Sequence, residues 1–76
     1  MNSELLSPIS ALRSLSEVMQ AANQVSELRP DRCSKVTPYV EEALAITSKA
    51  FRHSGATSGQ LKRLEELALE IGGLLS

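Results

Sequence analysis

The chain has 76 residues, a net charge of −1 with its histidine neutral, 22% charged residues and only 3% aromatic ones. That length excludes anything larger than one small domain, and an aliphatic core of this size rarely supplies more than roughly 3–5 kcal/mol without a staple. The near-neutral, interspersed charge excludes the basic face of a nucleic-acid binder, and a single cysteine excludes an intrachain disulfide.

Residues 1–6 read as a short, frayed lead-in, with Leu5 and Leu6 free to fold back onto the first helix. The opening MNSELLSPIS has neither a basic n-region nor a long apolar run, which reads against a secretory signal. Ser7-Pro8 then places a capping hydroxyl before a proline, and proline at the first helical position loses no hydrogen bond. From Pro8 to about Leu28 the apolar residues recur in steps of three and four: Ile9, Leu12, Leu15, Val18, Met19, Ala22, Val25 and Leu28. That spacing marks one face of a helix. Arg29-Pro30-Asp31 ends it, since a residue before proline is pushed out of the α region. Residues 29–36 are expected to form a loose connection.

Thr37-Pro38 repeats the hydroxyl-proline start, so a second helix is expected over about 38–53. Its inner face is read as Val40, Leu44, Thr47 and Phe51, flanked by Ala43, Ile46 and Ala50. Glu41 and Glu42 come early and Lys49, Arg52 and His53 late, each favourable to the helix dipole. Gly55 stands where a left-handed residue closes a helix. Thr57-Ser58-Gly59-Gln60 fits the S/T-x-x-E/Q capping box and opens a third helix over about 58–74. Its seam is Leu61, Leu64, Ala68, Ile71 and Leu75, widened by Leu67 and Leu74. Here the charges oppose the dipole, and Gly72-Gly73 weakens the last turn by about 1 kcal/mol per glycine relative to alanine. This helix is expected to need tertiary or partner contacts.

The pattern predicts an all-α fold: three short helices, the last two an antiparallel αα-hairpin closed by the short link Ser54 to Thr57, in a single small helical domain spanning residues 1–76. No stretch approaches a membrane span, and a lone thiol suits a reducing compartment, so cytoplasmic residence is expected.

No catalytic constellation is expected. The stretch Ala50-Phe51-Arg52-His53-Ser54-Gly55 superficially resembles the phosphoacceptor helix of histidine phosphotransfer domains, but the lysine and small residue that follow the histidine there are missing. His53 is read as a dipole partner at a helix end, and Cys33 as an unactivated thiol despite Arg32 and Lys35 nearby. One histidine and one cysteine cannot build a tetrahedral zinc site, and no glycine-rich phosphate loop is present, so neither metal nor cofactor is expected. The adjacent pairs Glu41/Glu42 and Glu65/Glu66 diverge around their helices and read as solvated faces.

The remaining feature is apolar surface. Ala-Leu followed by a basic helix end, a glycine-containing turn, Gln60-Leu61-x-x-Leu64 and the run Leu67, Ala68, Leu69, Ile71, Gly72, Leu74, Leu75 occupy residues 41–76. This half resembles the small co-chaperones of bacterial type III secretion needle subunits. The resemblance implies a non-enzymatic protein that pairs with a larger helical-repeat chaperone and keeps a secreted needle subunit from assembling early. Pro30 and Pro38 depart from it, by interrupting what would be one long first helix. Leu61, Leu64, Ala68, Ile71 and Leu75 are expected to face that partner, with Val40, Leu44 and Phe51 holding the hairpin. The alternatives are a self-associating, homodimeric regulator and a phosphotransfer protein acting through His53.

Overall fold

The computed structural model describes residues 5–76; the expected frayed lead-in lies mostly outside them. Among the described residues the elements are α1 (Pro8–Leu28), a single 3-10 turn (Pro30–Arg32), α2 (Cys33–Arg52) and α3 (Ser58–Gly73). Helix α1 starts as its sequence demands, with the Ile9 amide donating to Ser7 Oγ at 3.2 Å and proline at the first position. The capping box of α3 is complete. The Gln60 amide donates to Thr57 Oγ1 at 3.0 Å, and the Thr57 amide donates to Gln60 Oε1 at 2.9 Å.

The third start signal is corrected. Helix α2 begins at Cys33, and Pro38 lies inside it. Proline there forfeits a bond to the Ser34 carbonyl, and Thr37 is held helical against the preference of a pre-proline residue. Tertiary contact outweighs both terms: Val36, ahead of the proline, is 5% exposed against the core. The expected loose link is accordingly one tight 3-10 turn.

Two sets of contacts establish the topology. Leu6 and Ala56 exchange backbone hydrogen bonds of 2.8 Å in each direction, so the start of α1 lies beside the start of α3. At the other end, the Arg29 and Arg32 guanidinium groups donate to the carbonyls of Leu74, Leu75 and Ser76. Helices α1 and α3 are therefore parallel, and α2 runs antiparallel to both. The result is an up-down-up bundle whose last two helices form the antiparallel hairpin. Helix α1 packs more extensively on α3 than on α2, and α2 and α3 touch least. The arginine contacts anchor the residues that follow the weakened Gly72-Gly73 turn, whose own carbonyls accept from the Leu75 and Ser76 amides.

The core joins Ala11, Val18, Ala22 and Val25 of α1 to Val36, Ala43 and Ala50 of α2 and to Leu64, Leu67 and Ile71 of α3. The inner face of α2 is thus rotated from the expected one. Ala43 and Ala50 are fully enclosed, whereas Leu44 and Phe51 are 47% and 44% exposed. Val36, Ala43, Thr47 and Ala50 fill the inner face, and Glu42 on one flank of α2 meets Arg63 of α3. Thr47 keeps its expected inward place, its hydroxyl donating to the Ala43 carbonyl at 2.9 Å.

The turn after α2 differs in one residue. The Gly55 amide donates to the Ala50 carbonyl at 2.8 Å and the Ser54 amide to the Phe51 carbonyl at 3.2 Å, the bonding pattern of a Schellman motif. The left-handed residue is Ser54, with φ of 61°, not Gly55. Gly55 is required for another reason: a Cβ there would lie 2.6 Å from Leu5 Cβ and 3.0 Å from the Leu6 carbonyl oxygen. The N-terminal arm crosses the turn at this point.

Candidate interaction surface

The expected docking stripe of α3 is mostly core. Leu64 and Ile71 are wholly enclosed, and Leu61, Ala68 and Leu75 are half-buried against the same cluster. The correction has a topological cause. The Leu6–Ala56 pairing sets α1 alongside α3 over its length, so the seam of α1 covers the seam that the third helix exposes in isolation. Leu74 and Leu75, beyond the weakened last turn, also pack on the core.

Leu28 and Leu69 are the most exposed of the large apolar residues, and Ile9, Leu12 and Met19 of α1 and Leu44 and Phe51 of α2 are exposed as well. A helix turns by about 100° per residue, which puts Leu12 and Met19 about a quarter-turn from the core line of α1 through Ala11 and Val18. They stand on the same flank as Ser26. The Ser26 hydroxyl lies 3.3 Å from Cys33 Sγ, so that flank adjoins α2. On α2, Cys33, Leu44 and Phe51 share the flank facing α1, opposite the flank where Glu42 meets α3. The two flanks therefore meet as the outer groove between α1 and α2, away from α3.

This groove is defined by two stripes. On α1 they are Ile9, Leu12, Ser16, Met19, Asn23 and Ser26, in alternating steps of three and four. On α2 they are Cys33, Thr37, Val40, Leu44, Ser48 and Phe51. Eleven of these twelve are exposed and Val40 is half-buried, yet none is charged. Such spacing is that of a helix-packing seam. The other two outer grooves differ. Glu17 and Glu65 flank the one between α1 and α3, and Glu42, Arg63, Glu66 and Glu70 fill the one between α2 and α3.

In that last groove Arg63 donates from Nε and Nη2 to both Glu42 oxygens, at 2.6 and 3.0 Å, and from Nη1 to Glu66 and Glu70 at 3.4 and 3.3 Å. The hydrogen bonds from Arg63 hold the Glu42 carboxyl below its ordinary value, and Glu42 in turn raises the arginine. Two of the glutamates read as solvated faces, Glu42 and Glu66, thus belong to an interhelical ion network. The available signal was Arg63-x-x-Glu66 and Glu70 on one helix face.

The remaining candidates are dispersed. Exposed Cys33 opens α2 and exposed His53 caps its far end. Twenty helical residues, about 30 Å at 1.5 Å per residue, separate them, so the two side chains do not share one reacting centre. Among the described residues no group of three metal-ligating side chains converges, and no helix is long and apolar enough to cross a membrane. Comparison with protein-family models, curated proteins and solved structures finds no match to this chain.

Proposed function

We propose that this chain is a non-enzymatic protein-interaction module, a small chaperone or adaptor, whose working surface is the outer groove of α1 and α2. One observation carries the reading: twelve residues at helix-seam spacing, eleven of them exposed, form a surface without a charge in a chain with 22% charged residues. A folded helix normally turns a polar face to water, and an uncharged, partly apolar second seam is suited to receiving another helix. The resemblance of residues 41–76 to needle-subunit co-chaperones supplies the partner class, a cytoplasmic helical-repeat chaperone with its secreted needle subunit. The docking stripe moves from α3, where Leu64 and Ile71 serve the core, to Leu12, Met19, Leu44 and Phe51.

The test is co-expression with a helical-repeat chaperone and needle subunit from the same genome, followed by size-exclusion chromatography. The reading expects a stable complex with the unaltered chain and its loss with Leu12→Glu or Leu44→Glu, while far-ultraviolet circular dichroism stays unchanged. A complex indifferent to both substitutions would remove the groove from the function. No complex with either protein would remove the secretion reading.

A further inference from the structure

Residues 74–76 are held more firmly from outside their helix than from within it. The amides of Leu74, Leu75 and Ser76 donate to the carbonyls three residues back, of Ile71, Gly72 and Gly73, at 2.9, 3.1 and 3.3 Å. Such a tightened turn makes poorer bonds than the α-helix before it. From the α1–α2 turn, Arg32 Nη1 donates to the Leu74 carbonyl at 2.8 Å and also to the Ser76 carbonyl, while Arg29 Nε reaches the Leu75 carbonyl at 3.4 Å. Arg32 is thus the principal holder, and the Asp31 carboxylate stands off from its Nε at 3.9 Å. Leu74 and Leu75 meanwhile pack on the core cluster.

Gly72-Gly73 immediately precedes this segment. Neither glycine has a positive φ, and a Cβ built on either meets no atom within 4 Å. Close packing demands glycine at position 55 but at neither of these. What the pair does supply is an easy departure from the helix, since each glycine disfavours it about four- to fivefold relative to alanine. A soft pair, then an apolar segment, then a latch from another element make up a hinged flap. At this end of the bundle the core consists of Val25 near the close of α1, Val36 in the first turn of α2 and Ile71 in the last turn of α3, none more than 5% exposed. We propose that residues 74–76 are a flap, hinged at Gly72-Gly73 and latched by Arg32, that opens as a unit while the three-helix core stays folded. Opening lifts Leu74 and Leu75 off the core and bares its adjoining end. The device does not depend on the outer groove of α1 and α2.

Amide hydrogen exchange followed by NMR on the intact chain tests it, with rates expressed as protection factors. The Leu74 and Leu75 amides should exchange through a shared opening, at least tenfold more populated than the one that frees the Val18 and Leu64 amides. Arg32→Ala should lower protection at Leu74 and Leu75 about tenfold and raise binding of the apolar dye ANS, with Val18 and Leu64 unchanged. Gly72→Ala with Gly73→Ala should raise protection at the same two amides about fivefold or more, and should reverse part of the Arg32→Ala effect when combined with it. Protection at Leu74 and Leu75 indifferent to Arg32→Ala would reveal plain fraying and overturn the proposal. An Arg32→Ala chain that loses protection equally at Val18 and Leu64 would overturn it too, because the latch would then belong to the global fold. The alanine pair favours helix and so decides the hinge separately: unchanged protection there removes it.

Discussion

Ser54 and Gly55 show how adjacent residues can carry separate constraints. Ser54 adopts the left-handed conformation that glycine takes without penalty, at a cost of about 1 kcal/mol or more for an ordinary residue. Ser54→Gly should raise stability by about 0.5–1 kcal/mol, read from urea denaturation midpoints, since the added freedom of the unfolded chain offsets part of the relieved strain. Gly55 is the opposite case. Its missing Cβ is what lets Leu5 and the Leu6 carbonyl cross the turn. Gly55→Ala should cost about 1–3 kcal/mol by overpacking and should accelerate hydrogen exchange at the Leu6 and Ala56 amides. A melting temperature equal to that of the unaltered chain would show that the arm contributes nothing.

The helices differ in what holds them. Capping and a continuous seam suffice to start α1 and α3 where the residues indicate, whereas the first turns of α2 persist through burial of Val36 despite Pro38. Arg63 joins α2 to α3 where apolar contact between those helices is least extensive. Its effect on pH dependence has a definite sign. The Glu42 carboxyl titrates below its ordinary value of 4.5 in the folded chain. Its contribution is therefore complete above that pH and is lost as the pH falls through the lowered folded value. Urea titrations at pH 7 and pH 3 should show Glu42→Gln less stable than the unaltered chain at the higher pH, with the gap narrowed at the lower one. A gap that is constant across the range would mean the pair does not link the helices. Both side chains are more than a third exposed, so the effect should be small.

At the scale of the whole molecule, the prediction concerns which apolar residues hold the bundle together. Leu64→Ala should cost about 2–5 kcal/mol through lost burial and a cavity, enough to unfold much of so small a domain. Leu44→Ala and Leu69→Ala, at positions 47% and 76% exposed, should each change monomer stability by about 0.5 kcal/mol or less. Chemical denaturation at concentrations too low for association checks all three. If Leu44→Ala proved as damaging as Leu64→Ala, the rotation of α2 described above would be wrong.

The three helices, the Ser7 cap, the Thr57–Gln60 capping box and the hairpin were all readable from the residues, because caps, turns and seam spacing act within a few positions of one another. The start of α2 was not, since the local preference at Thr37-Pro38 is opposed by a contact between Val36 and the rest of the core. The choice of face escaped the sequence for a related reason. Helices α1 and α2 each carry two apolar seams, α3 carries one broad one, and periodicity cannot say which seams meet. That was decided in three dimensions, by the Leu6–Ala56 pairing that lays α1 along α3 and by the burial of Val36, Ala43 and Ala50 against the core. Local hydrogen bonding determined where α1 and α3 become helical; only the packing of the helices determined that α2 starts at Cys33 and that Leu64 and Ile71 are core while Leu12 and Leu44 remain in water.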